Sequence, residues 1–154
     1  MALYYLDTSA LVKLYVREPG TDSLLQLTKP EFNHRFALLA IAPVEFRSAI
    51  RRRQRAGDIE KAVAVEIIDR FTQHIETKFI QQAMSEAVLD TASRLIDRYP
   101  LRAYDAVQLA GCLVLKAMSG KEDPIFVCSD RPLLEVAGSE RLPLLDPTTP
   151  RETE

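Results

Sequence analysis

Four acidic side chains stand where a chain of this pattern can do chemistry: Asp7, Glu45, Asp105 and Asp130. Asp7 follows the apolar run at residues 3–6 and is trailed by two hydroxyls, Thr8 and Ser9. Glu45 lies in the first turn of a helix opened by Pro43, a residue suited to that place. Asp105 lies in the first turn of a long apolar helix, and Asp130 directly follows Ser129, after the apolar run 124–128. Carboxylates gathered in one pocket repel each other and hold on to protons at neutral pH. A hard dication relieves this, and Mg²⁺ and Mn²⁺ prefer oxygen ligands. One such ion, or two at about 3.5–4 Å, can activate a bound water and stabilise both oxygens of a phosphodiester displacement. His34 and His74 stand alone, with no second His or Cys at ligand spacing. That argues against a zinc site or a histidine-activated nucleophile.

The elements needed to bring these acids together can be read in order. Residues 3–6 have the length and aromatic content of a buried strand. Thr8 or Ser9 can cap the helix that follows, apolar at Leu11, Val12, Leu14 and Tyr15. A break at 18–20 precedes a short helix at 21–27 with a cap at Thr21 or Asp22. A second strand is expected at 36–41, then a helix at 44–56 stopped by Gly57. Asp58 is expected to cap a helix over 58–75, and 78–82 can form a short strand. Ser85 caps a helix ending at 98–100. The apolar helix from Asp105 ends at Gly120, and its apolar circumference predicts burial on more than one side. A strand at 124–128, a helix at 131–137 with Ser129 or Asp130 as cap, and a last strand at 142–145 complete the pattern. Residues 146–154 are poor in apolar side chains, which predicts a loose tail. Strands alternating with helices, without tight hairpin signals, mean a parallel sheet with right-handed crossovers and helices on both faces. In that architecture strand ends and the following helix starts share one edge. Asp7, Glu45 and Asp130 then project there, and Asp105 joins them if its helix starts at the same edge.

The totals bound the class. A chain of 154 residues, 47% hydrophobic and 27% charged, suits one globular domain with one proper core. The formal net charge of -2 supplies no global basic field, so a polyanion must be held by a local patch or a metal. No basic segment precedes an apolar stretch at the N-terminus, and the longest apolar stretch, 36–44, is far short of the ~20 residues a membrane span needs. The expectation is a cytoplasmic protein with no membrane partner. Cys112 and Cys128 form no CxxC pair and read as buried free thiols.

The residues 5–15 (YLDTSALVKLY), 44–49 (VEFRSA), 101–110 (LRAYDAVQLA) and 126–130 (FVCSD) together resemble the PIN domain family, and more narrowly the VapC-like toxin ribonucleases of type II toxin–antitoxin pairs. The resemblance runs to about residue 145, so one domain over 1–145 with a flexible tail at 146–154 is expected. It implies a three-layer α/β/α sandwich with a central parallel sheet. It also implies Mg²⁺- or Mn²⁺-dependent hydrolysis of RNA by a metal-activated water, a cognate antitoxin whose tail enters the acidic site, and a homodimer. By that resemblance Asp7 and Asp105 are the central metal ligands, and Glu45 and Asp130 hold metal directly or through water. All four count as catalytic. Thr8 or Ser9 would hydrogen-bond a ligand carboxylate or a metal-bound water. Many members carry Thr or Ser two residues before the last Asp. Here that place is Cys128, and the neighbouring Ser129 is expected to supply the hydroxyl instead.

Arg47, Arg51, Arg52, Arg53 and Arg55 occupy one helix with no acid between Phe46 and Ala56. They read equally as a solvated helix end favoured by the C-terminal dipole, as a phosphate track for RNA, or as an antitoxin contact. Arg102, three residues before Asp105, belongs with them. Three other readings compete. A haloacid dehalogenase-like phosphatase needs a second Asp two residues after the first, where this chain has Ser9. A receiver domain needs an acidic pair where Leu6 precedes Asp7. A PIN-like scaffold could bind RNA or protein without cleaving. The helices at 58–75 and 85–98 are the candidate dimer faces, although the core explains their apolar stripes as well.

Overall fold

Every residue of the first strand is buried, and successive residues go to opposite sides. This is the pattern of a strand covered on both faces. The computed structural model describes residues 1–149. The chain runs β1 (Leu3–Leu6), α1 (Thr8–Lys13), α2 (Thr21–Leu27), β2 (Arg35–Leu39), α3 (Ala42–Arg55), α4 (Lys61–Lys78), β3 (Ile80–Gln82), α5 (Glu86–Arg98), α6 (Ala103–Ser119), β4 (Ile125–Val127), α7 (Arg131–Ser139) and β5 (Leu144–Leu145). A 3-10 turn, Pro30–Phe32, precedes β2 and has no counterpart in the sequence pattern. The five strands are parallel in the order β3-β2-β1-β4-β5. The sequence reading of a parallel sheet between two helical layers therefore holds.

Period-two alternation divides the interior into two cores. Tyr4, Leu6, Phe36, Leu38 and Val127 pack with residues of α1–α4. Leu3, Tyr5, Ala37, Leu39, Phe126 and Cys128 pack with residues of α5–α7. Phe46 and Phe71 lock α3 to α4, with ring centroids 4.3 Å apart. Both cysteines are buried and free, as expected. No helix among the described residues is long and apolar enough to cross a membrane.

The strand order carries the functional consequence. From β1 the chain moves outward through β2 and β3, then returns to the other side of β1 with β4 and β5. The order reverses between β1 and β4. In open α/β sheets the crevice beyond the strand ends at such a reversal is where ligands bind. Leu6 pairs with Val127, so Asp7 and Cys128 follow side by side at this point.

Several boundaries differ from the sequence reading. Asp7 itself caps α1, with neither Thr8 nor Ser9 in that role. Gly20, at φ +96°, precedes α2 where Thr21 or Asp22 was expected to cap, because the turn needs a left-handed residue. Asp58 does not cap α4, which starts three residues later after Glu60. Gly57 instead closes α3 with φ +84°, and the Asp58 N–H bonds to the Arg53 carbonyl, spending the turn on the helix exit. The loose tail expected from Asp146 falls partly outside the described residues. Inside them, Thr148 donates to Asp146 and Pro147 is buried, with its backbone against Gly20.

Gly111 marks the tightest approach of α6 to the sheet. A Cβ there would meet the Tyr5 hydroxyl at 2.3 Å and Leu39 Cδ1 at 2.9 Å. Gly111→Ala should destabilise the fold by about 1–3 kcal/mol, the usual cost of overpacking, despite alanine's advantage of about 0.8–1.0 kcal/mol in a helix. Urea unfolding checks this. In a Tyr5→Phe background the penalty should shrink, since the closest clashing atom is gone. An unchanged penalty would place the strain elsewhere.

Candidate active site

Asp7 is buried at the end of β1 and is held by the chain just after it. The Ala10 N–H donates to Oδ1 at 2.8 Å, and the Ser9 hydroxyl donates to both carboxylate oxygens at 2.8 and 2.9 Å. Burial pushes its carboxyl above the usual range. The Ala10, Ser9 and Cys128 hydrogen bonds oppose that rise, and the charge of Asp105 adds to it.

Glu45 arrives from α3 and is also buried. Its Oε2 accepts from the Thr8 hydroxyl and from Gln108 Nε2, the latter at 2.9 Å. Burial raises its pKa, the Thr8 and Gln108 bonds lower it, and the charges of Asp7 and Asp105 raise it further. Asp105 stands in the first turn of α6, which has no strand directly before it yet starts at this edge. Burial and then the charge of Asp130 raise its pKa, against Arg102. Asp130 caps α7, accepting from the Leu133 N–H at 3.0 Å.

Thr8, Ser9, Glu45, Asp105 and Asp130 line one groove of about 770 Å³, with Asp7 buried behind them. None of the four acids is in a salt bridge among the described residues. Nor do three acids, histidines or cysteines among the described residues converge closely enough to hold an ion unaided. Oxygen-only donors, raised first by burial and then by one another's charge, fit a hard dication that keeps several of its own waters, as Mg²⁺ does. They do not fit a cage closed by protein alone.

Sequence reasoning missed three participants. Gln108 is buried, 2% exposed, and bridges Glu45 and Thr8. The signal was available: a long amide three residues after Asp105 on an otherwise apolar helix face. Glu18 lines the groove and binds Lys13 Nζ at 3.0 Å and Arg53. Burial would raise its pKa, but the bonds from Arg53 and Lys13 outweigh that and hold it low. Tyr104, exposed beside Asp105, forms part of the groove's wall.

Two expectations change. Ser129 does not bring a hydroxyl to the acids: it is not among the groove's lining residues, and its Oγ is buried without a hydrogen-bond partner among the described residues. Cys128 keeps the place instead. It follows β4 beside Asp7, takes the Asp130 N–H on Sγ at 3.2 Å, and lies 3.8 Å from the Asp130 carbonyl with its thiol close enough to Asp7 to lower that carboxyl. The arginine block also splits by helical angle. Glu45, Ser48, Ala49, Arg52 and Arg53 share the groove face of α3 at helical spacing. Arg47, Arg51 and Arg55, four apart, do not line the groove, and Arg51 is committed to Gln54 at 2.7 Å. Arg53 is engaged by Glu18, so Arg52 and Arg102 are the groove's two arginines outside any salt bridge among the described residues. A second cavity, about 440 Å³ between Tyr15, Phe36, His74 and Phe79, contains no carboxylate and shares no residue with the groove.

The sequence matches the PIN domain family over residues 4–131. No curated protein matches the chain. Among solved structures it is similar to a toxin–antitoxin complex from Klebsiella pneumoniae at 14% identity, TM-score 0.61, covering 94% of this chain and 97% of that one. It is similar to VapBC-1 from nontypeable Haemophilus influenzae at 15% identity, TM-score 0.62, covering 96% and 99%. It is also similar to PAE2754 from Pyrobaculum aerophilum at 22% identity, TM-score 0.61, covering 88% and 79%. At these identities the likeness is one of fold.

The raised carboxyls give a signed prediction. Asp7, Glu45 and Asp105 keep protons in the folded chain at pH values where the unfolded chain has released them. Their contribution to stability is therefore most favourable below the ordinary carboxylate values, about 4, and is lost as pH rises through the raised ones. Asp105 accepts no side-chain hydrogen bond from the described residues, so Asp105→Asn removes repulsion without removing a bond. In EDTA at neutral pH this variant should melt a few degrees above the wild type and show a shallower loss of stability with rising pH. Equal or lower melting, measured by calorimetry without metal, would mean the acids are not crowded.

Proposed function

Because the chain belongs to the PIN domain family, we propose that it is a metal-dependent endoribonuclease and the toxin of a toxin–antitoxin pair. The observation that carries this is the placing of Glu45, Asp105 and Asp130 on one groove, with Asp7 behind, at the strand-order reversal and without salt bridges. PIN domains are in general nucleases, and a site of oxygen donors alone suits phosphodiester hydrolysis.

Asp7 and Asp105 are the proposed direct ligands of Mg²⁺ or Mn²⁺, with Glu45 and Asp130 acting directly or through water. When bound, the ion would activate a water and neutralise charge on the attacking and leaving oxygens. The rest falls to the chain itself. Ser9 and the Ala10 N–H fix the Asp7 carboxylate, and Thr8 and Gln108 fix that of Glu45. Arg52 and Arg102, both lining the groove, bind phosphates beside the acids, giving the local attraction that a net charge of -2 does not. Single-stranded RNA is the expected substrate, since its backbone can bend into a groove and present one phosphate.

The similar structures include toxin–antitoxin complexes. An antitoxin segment bearing cationic side chains would suit the same acidic groove and block it. A homodimer is proposed through the outer face of α5, where Leu89 and Ile96 are exposed seven residues apart. Sedimentation showing only monomer at micromolar concentration would remove that part of the proposal. The phosphatase reading is not favoured: the site has no acid two residues after Asp7, and Ser9 there is bonded to Asp7 itself.

Incubation with single-stranded RNA should give cleavage that Mg²⁺ or Mn²⁺ supports and EDTA abolishes. Asp7→Asn should lower single-turnover cleavage to background while leaving binding of a non-cleavable RNA largely intact. Replacing Arg52 and Arg102 together by Ala should weaken that binding and reduce its salt slope by about 1.4, two contacts at roughly 0.7 each for a single strand. Cleavage at saturating RNA should change much less. No cleavage by the wild type in either metal would leave the silent-scaffold reading standing.

A further inference from the structure

Gln108 is a buried amide on a helix of apolar neighbours, 2% exposed. Packing alone would be served by leucine. A buried amide is tolerated only when its donors and acceptor are satisfied, and here both donor contacts lead to the site. Nε2 donates to Glu45 Oε2 at 2.9 Å and to Thr8 Oγ1 at 3.2 Å. Oε1 faces the Tyr5 hydroxyl, which donates to it at 3.5 Å, the outer limit of a hydrogen bond. We infer that Gln108 is a positioning residue that fixes the Glu45 carboxylate, with Tyr5 and Gly111 behind it as its support.

The geometry divides Glu45 into two halves. Oε2 takes both donors, from Thr8 and Gln108, and Oε1 takes none among the described residues. One oxygen is pinned and the other is left for the groove. The Glu45 contact sets which way round the amide lies: reversed, Gln108 Oε1 would meet the carboxylate as one acceptor against another. Tyr5 reaches this place because residue 111 has no Cβ: one there would lie 2.3 Å from the hydroxyl. Asp105, Gln108 and Gly111 follow each other three residues apart on α6, so they share a face. The helix that presents one acid therefore also sets the orientation of a second, which comes from α3. The order D-x-x-Q-x-x-G at 105–111 is the trace of this in the sequence.

The inference rests on the reading of the groove as a metal-dependent ribonuclease site, and its test separates the two. Mn²⁺ binding is measured by electron paramagnetic resonance, cleavage by single turnover, and the Glu45 conformation by crystallography of metal-free Gln108→Leu. The expected result is weaker Mn²⁺ binding and slower cleavage, each by about 10–100-fold as for lost support behind a metal ligand. Binding of a non-cleavable RNA should not change, and the Glu45 carboxylate should be displaced. Tyr5→Phe, which keeps the packing, should move Mn²⁺ affinity in the same direction by less, and decides the matter if Gln108→Leu does not fold. Wild-type Mn²⁺ affinity together with an unmoved Glu45 in folded Gln108→Leu would overturn the inference and leave Gln108 a core residue. A wild type that cleaves no RNA would end the ribonuclease reading. The displacement of Glu45 would still establish Gln108 in its role.

Discussion

Burial of carboxylates at one groove is the constraint on which this molecule is organised. It raises Asp7, Glu45 and Asp105 above the usual carboxylate range, and neighbouring charge adds to it: Asp105 on Asp7, Asp7 and Asp105 on Glu45, Asp130 on Asp105. Such a cluster persists only if the surrounding structure holds it. Neutral donors do that work: a backbone N–H, two hydroxyls, a thiol and an amide. Two nearby cations are engaged elsewhere. Lys13 and Arg53 lie within reach of the groove, and Glu18 takes both. The acids therefore stay available to an external positive charge instead of being spent on internal ion pairs.

The sheet makes the gathering possible at low cost. β1 is central, and its end meets the end of β4 where the strand order reverses. Asp7 and Asp130 thus arrive at one sheet edge from positions 123 apart in the chain, each starting a helix whose N-terminus favours a carboxylate. Glu45 and Asp105 are added from first turns of α3 and α6. Two separate cores, one on each sheet face, hold those four helix starts in place.

Much of this was legible in the sequence. Alternating apolar runs and helical stripes identify the strands and helices, and acids at strand ends and helix starts identify the groove. What was not legible depends on direction in space. The arginine block looked continuous because sequence spacing hides the 100° turn per residue that sends Arg52 and Arg53 to the groove and Arg47, Arg51 and Arg55 away from it. Ser129 looked like a substitute hydroxyl because it neighbours Cys128. The chain turns between the two, and only Cys128 meets Asp7. Glu18 gave no signal of partnership, and Gln108 stood out as an amide on an apolar helix without indicating its partners, which lie in other elements. The short turn before β2 and the late start of α4 were missed because local turn chemistry at Asn33 and Gly57 overrode the capping pattern.

The double service of Asp7 and Asp130 has an evolutionary consequence. Each is both a groove acid and the side-chain cap of a helix. Asparagine caps a helix about as well as aspartate, while alanine forfeits roughly 1 kcal/mol at such a place. A descendant that exchanges either aspartate for asparagine gives up a charge but keeps both helix starts and the sheet edge between them. Loss of chemistry and loss of fold are thus separable by one atom exchange. A chain that has made the exchange stays folded, so a binding surface on the same scaffold can outlast the charge.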